Sequence, residues 1–249
     1  MQKVYDLIRH KKNQSHKSLA ILVDPDNISK DECEKLVKNA VDNKIDFFFV
    51  GGSLITQNNL SNIVKIIKAG CKIPVILFPG SNLHIDAQAD AIFFLSLISG
   101  RNPDLLIGQH VIAAPIIKRT ALEVIPTGYI LIDGGKPTTV SYMSNSNPIP
   151  ADKPTIAACT AMAGEMLGLK VIYMDAGSGA ARPIPPKMIG IVKRSIAIPL
   201  IVGGGICSVD DAYDAWYAGA DVVVVGNSVE NNPDLLFDLA NKAKEINKS

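Results

Sequence analysis

The sequence predicts an α/β chain folded as a (β/α)8 barrel, and three observations carry that prediction. Strand-length apolar runs recur eight times along the 249 residues, most of them followed by a stretch with helical apolar spacing. Alternating β and α units argue a parallel sheet. Eight such units in about 250 residues argue closure into a barrel, not an open sheet. The runs also end abruptly in small or acidic residues, on the side where this fold carries its functional loops. No linker or composition break divides the chain, so residues 1–249 read as one barrel domain.

The elements follow in order. Val4, Leu7 and Ile8 have helical spacing, which predicts a short N-terminal helix placed beneath the barrel. Leu19–Val23 is a first strand ending in Asp24-Pro25-Asp26. Ser29 with Glu32 three residues on predicts a capping box, and Cys33, Leu36, Val37 and Ala40 form the apolar face of the helix behind it. Phe47–Val50 is a second strand, stopped by Gly51-Gly52-Ser53, and a helix from Asn58 to Ala69 closes at Gly70. The third strand, Val75–Phe78, and the fourth, Ala91–Leu95, lie too close for a full crossover, so the third helix is predicted to be short or missing. A helix from Asn102 to Lys118 is expected to break near Pro115. Glu123–Ile125 reads as a lead-in to a fifth strand at Tyr129–Ile132. Asp133–Asp152 is the longest irregular stretch and a candidate mobile lid. A helix at Thr155–Leu167 stops at Gly168. Strands at Val171–Asp175, Pro199–Val202 and Val222–Val225 then alternate with helices at Pro185–Ser195, Ser208–Ala218 and Pro233–Asn247.

Composition narrows the function. A net charge of +1 gives no broad basic field for nucleic acid. Cys33, Cys71, Cys159 and Cys207 are scattered and read as reduced, mostly buried thiols, not a disulfide framework or zinc site. No apolar run approaches the roughly 20 residues that span a bilayer, and the N-terminus has no apolar signal core. These features lead us to expect a cytoplasmic protein.

The chemistry concentrates at strand ends. Tyr173-Met174-Asp175-Ala176-Gly177-Ser178-Gly179, Gly204-Gly205 and Gly226-Asn227 place glycines where backbone N–H groups stay uncovered, and Ser178 adds a hydroxyl. Such ends converge into an anion cradle, and in this barrel the usual phosphate site follows the seventh and eighth strands. Each glycine alone also reads as a tight turn. Asp24 reads either as a strand-terminating turn residue or as a ligand for Mg²⁺, with Ser53 on the adjacent strand end offering a second oxygen. Asp175 reads as a base or orienter for a substrate hydroxyl or as a solvated turn residue, and Tyr129 and Tyr173 as hydrogen-bonding or packing groups. G-x-S-x-G, Walker and H-E-x-x-H motifs are missing, and no lysine ends an apolar strand as a Schiff-base nucleophile.

The motifs I-L-V-D-P-D (Ile21–Asp26), F-V-G-G-S (Phe49–Ser53), I-L-F-P-G-S (Ile76–Ser81), E-V-I-P-T-G-Y-I (Glu123–Ile130), Y-M-D-A-G-S-G-A (Tyr173–Ala180), I-V-G-G-G-I (Ile201–Ile206) and V-V-G-N (Val224–Asn227) run in order along nearly the whole chain. Together they resemble the geranylgeranylglyceryl phosphate synthases, to which the bacterial heptaprenylglyceryl phosphate synthases are close. The resemblance implies a modified TIM barrel whose third helix is replaced by a loop. It implies an ether-lipid-forming prenyltransferase that joins a prenyl diphosphate to the 3-hydroxyl of sn-glycerol 1-phosphate and releases diphosphate. It also implies Mg²⁺ held by Asp24 and Ser53, an acceptor site formed by Tyr173–Gly179, Gly204-Gly205 and Gly226-Asn227, a homo-oligomer, and peripheral membrane contact for the lipid product. That family commonly carries glutamate where this chain has Asp175. A phosphate-binding barrel isomerase or lyase is the competing enzyme reading, and a non-catalytic lipid- or phosphate-binding protein the other.

Overall fold

The computed structural model describes residues 3–226, 228–229 and 232–248. Eight parallel strands close in sequence order: β1 (Ser18–Val23), β2 (Phe47–Gly52), β3 (Val75–Pro79), β4 (Ala91–Leu97), β5 (Glu123–Leu131), β6 (Val171–Asp175), β7 (Leu200–Gly203) and β8 (Val222–Val225). The circle is completed by β8 against β1, with Ser18 opposite Val222. The helices are α1 (Val4–Asn13), α2 (Lys30–Asp42), α3 (Leu60–Gly70), α4 (Gln109–Ile117), α5 (Thr139–Met143), α6 (Pro154–Met166), α7 (Pro186–Ser195), α8 (Val209–Ala218) and α9 (Pro233–Ile246).

Alternation along each strand builds two cores. One face fills the barrel, where Phe47, Phe49, Phe93, Ile76, Ile125, Val171 and Ile201 meet; the other packs against the helices, as Phe48, Val50, Leu77, Met174 and Val202 do. Phe49 and Phe93 meet edge to face at 4.9 Å. Burying each of these rings contributes about 2–3 kcal/mol. Val4 and Ile8 of α1 join the inner core, so the helix plugs the floor of the barrel as its spacing predicts. The Glu123 carboxylate accepts the Val4 and Tyr5 N–H groups and caps that helix. The boxes at Ser29–Glu32 and Ser208–Asp211 both form.

The segment between β3 and β4 holds only turns, so the third helix is missing. Three expectations need correction. The helix before β5 does not break at Pro115; the irregularity is a π-helical turn at Asp104–Gly108, and α4 runs through the proline. Pro115 lies in the final turn, and the Val111 carbonyl it leaves unbonded belongs to an exposed residue that water can reach. Next, Glu123–Leu131 is one continuous strand. Pro126 lies one step before the first β5–β6 pair, Thr127 with Val171, where no partner strand needs its missing N–H. Finally, Cys159 and Cys207 are exposed, on α6 and in the loop after β7; Cys33 is buried because it falls on the inward face of α2, and Cys71, just past the end of α3, is half-buried. Among the described residues no helix is long and apolar enough to cross a membrane.

The Asp133–Asp152 stretch is more structured than its composition suggests. It contains α5, and its ends are pinned by the Asp133 N–H donating to the Ile149 carbonyl and the Ile149 N–H to Leu131.

Candidate active site

The C-terminal ends of the strands surround one wide cleft of about 1820 Å³. Asp24, Ser53, Tyr173, Asp175, Ser178, Gly179, Gly204, Gly205 and Gly226 all line it, so residues from five strand ends converge as the spacing predicts. Met174 does not: alternation turns its side chain into the core between sheet and helices. Ala176 is buried beside it, and Asn227 lies outside the described residues.

The glycine-rich side is a ring of unused donors. The Ser178, Gly179, Gly204 and Gly205 N–H groups donate to no acceptor among the described residues, and neither does the Tyr173 hydroxyl. Gly177 is different, because its N–H donates to Asp175 Oδ1 at 2.7 Å. The expectation that Gly177 offers a free N–H is therefore corrected: it orients a carboxylate. Gly204 is required by its backbone, at φ +80°, and a Cβ there would run into the Gly177 nitrogen at 2.6 Å. Consecutive left-handed turns at Gly204 and Gly205 point successive N–H groups into the cleft, which suits an anion.

Asp175 is buried beneath this cradle. Its Oδ2 accepts the Tyr129 hydroxyl at 2.5 Å and its Oδ1 the Gly177 N–H. Burial pushes its carboxyl above the usual carboxylate range, against the opposing pull of those two hydrogen bonds. The same burial, with Asp175 close by, raises the Tyr129 and Tyr173 phenols well above their ordinary value. Tyr173 packs against Phe78 at 4.9 Å and Tyr129 at 5.7 Å, so aromatic rings form the floor.

On the opposite rim Asp24 is half-buried, and its oxygens accept only neutral donors, the Asp26 N–H at 3.0 Å and the Asn27 amide at 2.8 Å. Burial raises its carboxyl too. Gly52 leaves the flank of Asp24 open; a Cβ there would lie 3.5 Å from Oδ2. Among the described residues there is no group of three or more His, Cys, Asp or Glu able to hold a metal. Asp24 and Ser53 therefore fit an ion that takes its remaining oxygens from substrate and water, as Mg²⁺ commonly does. The cleft is lined by three carboxylates, Asp24, Asp26 and Asp175, and by no Lys, Arg or His among the described residues.

Past Phe78 the cleft continues into an apolar channel. A section of about 700 Å³ runs between Ser53, Phe78, Leu95, Leu97, Leu105, Tyr129, Val140 and Met143. It leads to one of about 510 Å³ between Ile85, Ile92, Phe94, Ala113 and Ile117, with Pro79, Gly80, Leu95 and Leu105 shared by the two. The second section occupies the place where a third helix would pack. Apart from Ser53 and Tyr129, sequence reasoning did not find these lining residues, nor Thr139 and Ser228 at the main cleft. They come from loops far apart in the chain, and no short motif marks them.

Fold and cleft together define a (β/α)8 barrel with a glycine-rich cradle of free donors and an apolar annex. Residues 8–244 match the PcrB family, and the chain belongs to that family. It is 53% identical over 98% of both chains to the geranylgeranylglyceryl phosphate synthase of Spirosoma linguale. It is 43% identical to that of Thermococcus kodakarensis, over 89% of this chain and 87% of the relative. Among solved structures, the (S)-3-O-geranylgeranylglyceryl phosphate synthase of Thermoplasma acidophilum in complex with sn-glycerol-1-phosphate superposes with a TM-score of 0.92 at 33% identity, covering 98% of this chain and 100% of that one. A thiamine phosphate pyrophosphorylase from Pyrococcus furiosus, at 13% identity and a TM-score of 0.59, shares the fold alone. The protein is thus an enzyme, a prenyltransferase, and neither the isomerase or lyase reading nor the non-catalytic one stands.

Proposed function

We propose that the enzyme transfers a geranylgeranyl group from its diphosphate to the 3-hydroxyl of sn-glycerol 1-phosphate, with Mg²⁺, to give an ether-lipid precursor and diphosphate. The observation that carries this reading is the division of the cleft: a cradle of neutral donors on one side, an acidic rim on the other, and an apolar channel leading away between them.

Each part has a task. The free N–H groups and the Ser178 hydroxyl take the acceptor phosphate, which fixes the glycerol chain near Asp175 and Tyr173. The apolar channel takes the prenyl tail, whose burial is worth about 0.8 kcal/mol per methylene. Asp24 and Ser53 would hold Mg²⁺. When bound, the ion neutralises charge on the departing diphosphate as a Lewis acid. The donor's C1–O bond to diphosphate breaks as the glycerol oxygen forms its bond to C1. Positive charge developing on the allylic carbon lies above Phe78, Tyr129 and Tyr173, whose rings stabilise it. The hydroxyl proton leaves toward Asp175, whose raised affinity suits proton acceptance. Its withdrawn position, with both oxygens already bonded, favours transfer through one ordered water.

The outer face of α4 exposes Val111, Ile112 and Ile116, with Ile107 just before it, an apolar strip that supports a homo-oligomer; the lipid product supports peripheral membrane contact. Incubation with sn-glycerol 1-phosphate and prenyl diphosphates of several lengths, followed by mass spectrometry, tests the reading. A geranylgeranyl ether as main product is expected. A heptaprenyl ether would reassign the donor, and no ether at any length would overturn the assignment.

A further inference from the structure

Asp24 and Asp26 look equivalent in the D-P-D motif, yet their carboxylates do different work. Asp26 Oδ2 accepts the Thr56 N–H at 2.6 Å and the Thr56 hydroxyl at 2.8 Å, and Oδ1 accepts the Gln57 N–H at 3.0 Å. The Asn59 amide adds a bond to the Pro25 carbonyl at 3.1 Å. All these donors lie in the segment between β2 and α3, which has no helix or strand of its own from Ser53 to Asn59. That segment begins at Ser53 and carries Leu54, and Ser53, Leu54 and Thr56 all line the cleft. Asp26 is itself oriented by its own N–H, which donates to Asp24 Oδ1.

We propose that Asp26 is a positioning residue: its carboxylate clasps the β2–α3 loop and so sets Ser53 and Leu54 against the donor diphosphate, while Asp24 remains the ligand. Besides the Asn59 bond, this loop has no secondary structure to fix it, and three bonds to one carboxylate are the strongest tie there. The clasp also engages the second negative charge of the motif with N–H and hydroxyl donors, leaving one carboxylate for the cation. This inference rests on the prenyl-transfer reading for the identity of the donor, but the clasp itself can be measured without turnover.

The Asp26→Asn variant keeps the size of the side chain and sets an amide against a donor it must now repel. Thr56→Val removes only the hydroxyl. With Asp26→Asn, amide hydrogen exchange at Thr56 and Gln57 accelerates, and KM for the prenyl diphosphate rises about tenfold, the loss of one hydrogen bond to a charged group. KM for sn-glycerol 1-phosphate stays within about twofold, because its cradle lies on other strands. Thr56→Val gives a smaller shift of the same kind, and none when added to Asp26→Asn. Unchanged exchange and unchanged donor KM in both variants would overturn the clasp. So would an equal rise in both KM values, which marks general disorder. Should Asp26→Asn not fold, Thr56→Val carries the same test. A wild type that makes no prenyl ether contradicts the functional reading instead, and exchange at Thr56 and Gln57 still decides the clasp.

Discussion

The two rims of the barrel use aspartate in opposite ways. At the lower rim Asp46, Asp90 and Asp221 immediately precede β2, β4 and β8. Each accepts an N–H from the start of the preceding strand, Leu19, Val75 and Leu200 respectively. Each also pairs with a lysine from the last turn of a helix: Lys11 at 2.7 Å, Lys68 at 2.6 Å and Lys193 at 2.5 Å. The upper rim has Asp24, Asp26 and Asp175 and no ion pair to any of them among the described residues. Burial pushes Asp46 up, but His16 and Lys11 outweigh it and hold that carboxyl below the usual range. Asp24 and Asp175, which have no ion pair, are held above it by burial. The difference teaches that the lower carboxylates complete the fold, whereas Asp24 and Asp175 are held at the cleft without an ion pair.

The largest expected effect breaks the upper rim. Asp24→Ala should lower kcat/KM by about a thousandfold, the scale of losing a principal electrostatic contact, while thermal melting stays within about 2 °C. A large drop in melting temperature would erase the distinction between the rims. Breaking the lower rim should do the reverse. Asp221→Ala strands the Lys193 ammonium and the Leu200 N–H, at a cost of about 3 kcal/mol in denaturant unfolding, with turnover per folded molecule unchanged.

Smaller changes sharpen the comparison. The Tyr129 bond lowers the Asp175 pKa, so Tyr129→Phe should move the acid limb of the kcat/KM profile to higher pH and cost about tenfold at neutral pH. An unmoved limb would separate Asp175 from the proton. At the lower rim Asp46 has a depressed folded pKa, so its contribution is present above the ordinary carboxylate range and lost as pH falls through the folded value. Asp46→Asn should therefore flatten the acid side of the stability profile, read by urea midpoints across pH.

Much of this was legible in the sequence because it is local. Apolar runs, capping boxes, the cramped interval after Phe78 and the glycine-rich strand ends are written in neighbouring residues, and the structure places them accordingly. What separates one aspartate from another is not local. Lys68 reaches Asp90 and Lys193 reaches Asp221 only after the chain has turned, and Asp26 meets Thr56 across two loops. Met174 failed as a site residue for a simpler reason: adjacency to Tyr173 and Asp175 in the chain puts it on the other face of the strand. The Gly177 N–H was legible as a donor, but not as one already used by Asp175.

The central claim is that a diphosphate cannot occupy this acidic rim without its own cation. Calorimetric titration of geranylgeranyl diphosphate into the wild-type protein, with Mg²⁺ and then with excess chelator, tests it most directly. Tight binding with the ion and at least about a hundredfold weakening without it is the predicted result, since removing the ion exposes like charges to one another. Equal affinity in chelator would contradict it.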